Sequence, residues 1–138
     1  MLKRLNEKIL NNDFFDKKYL QAIDIDELLD LRDNKEFDDE WVRVFEKTKE
    51  YSIKSETVEQ INEIRENVFK KIYDFTENSD LAGYISDDFD LMCMAYIVDL
   101  NDEWLAKVAH IYNEKRIPSG KILVVAENYK EEFLRLFQ

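Results

Sequence analysis

The chain has 138 residues, of which 45% are hydrophobic and 13% aromatic, and its formal net charge is −11. Intrinsic disorder does not fit this composition, and the length suits one globular domain over residues 1–138 with a normal core. Two glycines and one proline argue against a many-stranded β fold. We therefore predict an all-α fold, a compact bundle of about six to seven helices.

The first third of the chain predicts three short helical segments. Apolar residues recur at helical spacing over Leu2–Leu10, so an amphipathic helix opens the chain. Asp16 is a suitable N-cap for a turn over residues 17–22, and Asp24 for the segment that follows. Polar residues 33–35 end that segment.

Two longer helices are expected next. Residues 38–51 place apolar side chains on one stripe, with Asp38, Asp39 and Glu40 in the first turn, where the helix dipole favours negative charge. A further helix begins at Ser55 or Thr57. Its apolar stripe is Ile61, Ile64, Val68, Ile72 and Phe75.

The last part of the chain predicts a buried helix and its neighbours. Ser86 is the expected N-cap of a helix that runs to about Asp99 and is apolar on several faces, as central helices of bundles are. Asn101 is the expected cap of the next helix. Residues 122–126 form the one plausible strand, unless they begin a last helix that ends near Leu136.

Negative charge is concentrated in two blocks. Residues 21–50 carry eleven acidic and five basic side chains, and residues 77–104 carry eight acidic side chains with no Lys or Arg. An acidic protein repels phosphate backbones, so we expect no nucleic-acid partner and favour a basic protein. The alternative is that these acids have no binding role and only keep the domain solvated.

No constellation of catalytic residues is present, so we predict no enzyme activity. His110 is the single histidine, and zinc or dinuclear carboxylate sites need more His or Cys than this chain offers. Cys93 lies on an apolar helix within the most acidic part of the chain, and neither kind of surrounding favours the thiolate form. Residues 99–110 lack the glycine and the final glutamate of a calcium loop. We therefore expect neither a metal nor a cofactor.

Two acidic patches are the candidate partner-binding sites. Acidic side chains without a basic neighbour repel each other, which lowers the stability of the fold. A sequence that keeps such a destabilising arrangement suggests that these acids have a function. An acidic rim beside an aromatic anchor also suits a protein interface. The candidates are Asp87, Asp88, Asp90, Asp102 and Glu103 in the first patch, and Asp38, Asp39, Glu40 and Trp41 in the second.

The expected compartment and the expected lack of membrane contact are inferred from features that the sequence does not contain. One cysteine permits no internal disulfide, which suits a reducing compartment. The basic start of the chain has no long apolar run behind it, unlike a secretory signal. The longest nearly uncharged segment, Leu91–Val98, is far shorter than a membrane span. We expect a cytoplasmic protein without membrane contact.

Two segments carry a resemblance to a known class. Residues 84–91, YISDDFDL, followed by residues 101–105, NDEWL, resemble small acidic helical immunity proteins of bacterial polymorphic and contact-dependent toxin systems. The resemblance implies a helical protein that neutralises a toxin by binding it through an acidic surface. The leading hypothesis is therefore a toxin-neutralising binding protein. The alternative is a helical scaffold or regulatory subunit that binds through an apolar patch, for example as a homodimer.

Overall fold

Eight helices follow one another in the computed structural model, which describes residues 1–124 and 127–138. They are α1 Leu2–Leu10, α2 Lys17–Ala22, α3 Ile25–Asp33, α4 Lys35–Thr48, α5 Ser55–Thr76, α6 Ser79–Ile97, α7 Glu103–Asn113 and α8 Tyr129–Arg135. No strand occurs in these described ranges. The all-α prediction is confirmed, with one helix more than expected.

Helix α6 is the centre of the bundle. Its most extensive contacts are with α5, and α3, α4 and α8 also contact it. Ten of its residues are buried, on more than one face, which confirms the expected central helix. Helix α1 packs on α5, and α8 packs on α7. The buried hydrophobic residues of the described ranges form one cluster.

Helix α6 begins well before the position that the sequence predicts. Its first residue is Ser79 and its N-cap is Asn78, about two turns before the expected cap at Ser86. Ser86 lies inside the helix, where its buried hydroxyl donates to the carbonyl of Arg65. The acids at positions 87, 88 and 90 are consequently in mid-helix, whereas an N-cap at Ser86 would have placed them in the first turn.

The other differences are smaller. Helix α4 spans Lys35–Thr48 and so starts and stops three residues earlier than the expected 38–51. Asp102 caps α7 through the Leu105 amide, whereas the Asn101 side chain accepts from the Tyr129 amide. Residues 122–124 are not a strand, and residues 125–126, the rest of the expected strand, lie outside the described residues. None of the helices described is long and apolar enough to cross a membrane.

Helix α5 ends in a strained residue. Glu77 has a φ of 54° in the left-handed region, at the point where α5 turns into α6. A residue with a Cβ pays about 1–2 kcal/mol there, whereas glycine has almost no steric cost but loses more backbone entropy on folding. We expect Glu77→Gly to raise the free energy of unfolding by about 0.5–1 kcal/mol, measured by urea denaturation. Glu77→Ala keeps the Cβ and is the control; equal stability of the two variants would contradict this account.

Candidate functional site: an acidic groove with aromatic walls

A surface cavity of about 140 Å³ lies where α3, α4 and the middle of α6 meet. Its walls combine aromatic rings with carboxylates, and we call it the acidic groove. The lining residues are Arg32, Asp33, Phe37, Asp38, Trp41, Tyr84 and Asp87. A second cavity shares Asp33, Tyr84 and Asp87 with it and continues past Gly83 to Asp80. One residue of the first predicted patch, Asp87, and two of the second, Asp38 and Trp41, therefore meet at this cavity.

The floor of the groove is organised by one buried carboxylate, Asp88. Both oxygens of Asp88 accept from Arg32, each at 2.6 Å. The Trp41 indole Nε1–H donates to one of these oxygens at 3.0 Å, and the Tyr112 hydroxyl donates to the other at 2.5 Å. Only 1% of the Asp88 side chain is exposed. This network ties α3, α4, α6 and α7 together and fixes the orientation of the Trp41 ring.

Arg32 completes the network from the inside. Its guanidinium also donates to the carbonyls of Pro118 and Tyr84, and it lies over the Phe37 ring at 4.3 Å from the centroid. Burial by itself would lower the pKa of Arg32, but the charge and hydrogen bonds of Asp88 outweigh burial and raise it. Arg32 and Asp88 thus form an oppositely charged pair whose hydrogen bonds are all made within the protein. A buried pair of this kind is expected to specify the packing of its helices.

The rim of the groove carries three carboxylates, Asp33, Asp38 and Asp87, which we call the rim carboxylates. The Tyr84 hydroxyl donates to Asp33, and this bond, with burial, raises the pKa of Tyr84. Asp87 accepts from Arg65 at 2.9 Å while 48% of its side chain stays exposed. Asp38 is exposed, and no ion pair joins it to a basic side chain in the described parts of the chain. The rim is therefore negative and has unused acceptor capacity.

The structure distributes the predicted site residues over three environments. Asp38, Trp41 and Asp87 line the groove. Asp88 and Asp102 are buried within the fold, so neither carboxylate is presented to a partner in the way we expected. Asp88 points into the protein, where Arg32 of α3 pairs with it. Asp102 is held at the start of α7, where it caps the helix and pairs with Arg43 at 2.6 Å.

The remaining predicted residues lie on the surface outside the groove lining. Glu40 pairs with Arg43 at 2.7 Å, and Asp39 is only 4.0 Å from Lys35, with 60% of its side chain exposed. Asp90 is partly buried near Arg65, and burial raises its pKa. Glu103 is exposed in the first turn of α7. Whether any of them contacts a partner stays a prediction.

Sequence reasoning missed four residues of the groove lining: Arg32, Asp33, Phe37 and Tyr84. Asp33 was assigned to a break between helices. A correct start for α6 would have pointed to Tyr84, because positions 80, 84 and 87 share one helical face. Asn78 at the N-cap, with Asp80 in the first turn, was the available signal.

Other reactive groups have ordinary structural explanations. Cys93 is completely buried, and burial raises the pKa of its thiol, which opposes reactivity. His110, Glu127 and Glu132 offer three ligand atoms within 4.8 Å of one another. However, Glu132 also accepts from Arg135 at 2.7 Å, and its bond to His110 is 3.3 Å long. Glu132 is thus already paired with Arg135 within α8 and contacted by His110 from α7, and the expectation of no metal stays a prediction.

Comparison with known proteins identifies the class. A small, acidic, all-helical protein with an acidic groove on its surface is consistent with the immunity proteins, and a family model of that class matches residues 4–119. The matched family is described as Immunity protein PIM1, and the chain belongs to it. The match includes every residue that lines the acidic groove. No curated protein matches the chain.

Proposed function

We propose that this immunity protein neutralises a toxin by binding a basic face of it through the acidic groove. The observation that carries the proposal is the meeting of three rim carboxylates around the Trp41 and Tyr84 rings. Charged rims raise association rates through electrostatic steering, and buried aromatic anchors supply much of the binding energy in protein interfaces. Family membership supports the neutralising role, and the geometry supports the choice of surface.

The proposed mechanism is occlusion without catalysis. The net charge of −11 attracts a basic toxin over distances of about a Debye length, near 8–10 Å at physiological ionic strength. Contact at the groove then covers the toxin's working surface. The Asp88 network keeps Trp41 in position before binding, which lowers the entropy cost of forming the interface. In this proposal the protein works in the cytoplasm, where a cognate toxin would threaten the producing cell.

Charge reversal at the rim tests this proposal. We expect the double variant Asp38→Lys/Asp87→Lys to weaken toxin binding at least about 100-fold and to flatten its salt dependence, because attraction becomes repulsion. Binding would be measured by surface plasmon resonance at several salt concentrations. The toxin is first captured on the wild-type protein from its native host, or expressed from the gene beside the immunity gene.

The matched control is Glu59→Lys/Asp74→Lys, which makes the same charge change on exposed positions of α5. This control should lower the association rate only slightly. If the rim variant bound the toxin like the wild type, with the same salt dependence, the proposed surface would be wrong. A salt-insensitive homodimer seen by light scattering would instead favour the scaffold hypothesis.

A further inference from the structure

We propose that the acidic groove is a pocket for a single arginine side chain, supplied by the toxin. The biological identity of that arginine rests on the proposed function, whereas the pocket's preference is a property of this chain alone. The groove's volume of about 140 Å³ fits this occupant. An engineered protein cavity of about 150 Å³ takes up one benzene molecule, and a guanidinium with its adjoining methylenes has a similar number of heavy atoms.

The rim offers the acceptors that a guanidinium needs. A carboxylate has about four lone-pair positions. Asp33 uses one for the Tyr84 hydroxyl, and Asp87 uses one for Arg65. Asp38 lies exposed at the same cavity, and no basic side chain of the described chain is paired with it. An incoming cation would therefore find open acceptors on three sides without displacing an existing ion pair.

The walls of the groove favour a planar cation. Phe37, Trp41 and Tyr84 all line the cavity, and aromatic faces attract cations, most strongly when the cation is weakly hydrated. The Trp41 ring is fixed before binding because one side stacks on Phe45 with 5.5 Å between centroids, and its Nε1–H is bonded to Asp88. The pocket is thus preorganised and does not require rearrangement of its largest side chain.

The positive residue at the floor does not oppose this occupant. Arg32 is neutralised by two hydrogen bonds to Asp88, so an entering cation meets a neutral pair. Arg32 also shows the same chemistry within the protein, since its guanidinium lies 4.3 Å from the Phe37 centroid and 5.5 Å from that of Tyr84. Those two rings already accept one guanidinium from inside the fold.

Arginine fits the groove better than lysine. A guanidinium is flat, has five N–H donors and is weakly hydrated, so it can stack on a ring and donate to several carboxylates together. A lysine ammonium is compact and strongly hydrated, and it loses more on leaving water. The expected order of affinity is arginine, then lysine, with no binding of a neutral side chain of arginine's shape.

The two tryptophans provide the experiment. In ¹H–¹⁵N spectra the indole signal of Trp41 reports the groove, whereas that of Trp104, which is 3% exposed behind Phe37 and does not line the cavity, reports the integrity of the fold. The probes are the N-acetyl N-methylamides of arginine, lysine and citrulline. We expect a saturable shift of the Trp41 signal with arginine at millimolar concentration, a weaker one with lysine and none with citrulline.

Two variants complete the design. Asp38→Asn should weaken arginine binding at least about fivefold, because it removes the open rim charge. The exposed Asp74→Asn on α5, outside the groove, should leave the affinity unchanged. Equal shifts with citrulline and arginine, or no shift of Trp41 with arginine, would overturn the inference. If the arginine probe fails while rim charge reversal still abolishes toxin binding, the pocket inference is wrong and the proposed function stands. If the probe binds and charge reversal leaves toxin binding intact, the proposed function is wrong.

Discussion

Replacing Asp88 with alanine is expected to lower the free energy of unfolding by about 3–5 kcal/mol, because it leaves the buried Arg32 charge without its partner. Four hydrogen-bond donors, two on Arg32 and one each on Trp41 and Tyr112, converge on the Asp88 carboxylate and lose their acceptor together. Domains of this size are stable by only about 5–15 kcal/mol, so the variant should be close to unfolding at room temperature. Urea denaturation followed by circular dichroism measures the effect.

The control for this prediction lies on the same helix. Asp90→Ala removes the same side chain two positions later, where 34% of it is exposed and the nearest arginine nitrogen is 3.8 Å away. This change should alter stability by less than about 0.5 kcal/mol. The double variant Arg32→Met/Asp88→Leu, which removes both charges, should recover part of the loss. A loss of under about 1 kcal/mol for Asp88→Ala would show that the buried pair does not organise the core.

The second large effect is expected at Asp102. Its carboxylate caps α7 through the Leu105 amide at 3.0 Å and accepts from Arg43 at 2.6 Å. Loss of an N-cap costs about 1 kcal/mol, and loss of the charged bond to Arg43 adds a similar amount. Asp102→Ala should therefore lower the free energy of unfolding by about 2 kcal/mol at neutral pH, measured by urea denaturation.

The dependence of this effect on pH gives a sharper test. Burial raises the pKa of Asp102, but the bonds from Arg43 and the Leu105 amide outweigh burial, so the pKa is lowered on folding. A carboxylate with a lowered pKa stabilises the protein fully above its unfolded pKa of about 4 and loses that contribution as the pH falls through its folded pKa. The difference between wild type and Asp102→Ala should thus be constant near neutral pH and shrink in acid.

Two variants separate the contributions at this site. Asp102→Asn keeps a capping oxygen but loses the charge, so it should fall between wild type and alanine at neutral pH and show a weaker acid dependence. Glu103→Ala, at the exposed next position, should change stability by less than about 0.5 kcal/mol. A wild-type advantage over Asp102→Ala that kept its full size at pH 2 would mean that the Asp102 charge contributes nothing.

Secondary structure could be predicted where local signals were strong. Asp16 and Asp24 cap α2 and α3 as expected, and the apolar stripe of α5 is buried at Ile61, Ile64 and Val68. The prediction was wrong for the start of α6, because Ser86 and the acids after it imitate a helix N-terminus. In the structure the Ser86 hydroxyl bonds to a carbonyl of α5, a contact that no local pattern indicates.

The candidate site was predicted in part for the same reason. Asp38 and Trp41 were selected because acids and an aromatic ring occur together in sequence, and Asp87 because its acidic block contains no Lys or Arg; these three line the groove. Composition gave no means of separating Asp87 from Asp88, which are adjacent in sequence but differ in exposure, at 48% and 1% of the side chain. On one helix, neighbouring positions point about 100° apart, so one faces solvent and the other the core.

The sequence by itself determined the helical class, the concentration of acids in two blocks and the central position of the apolar helix. These properties depend on local spacing and on composition, which any stretch of the chain displays without its neighbours. Only the tertiary structure decided which acids are free to meet a partner. Whether a carboxylate is exposed or paired depends on the groups that folding places beside it. The arginine that neutralises Asp88, Arg32, lies 56 positions earlier in the chain. The acidic groove is formed from the carboxylates for which folding provided no such buried partner.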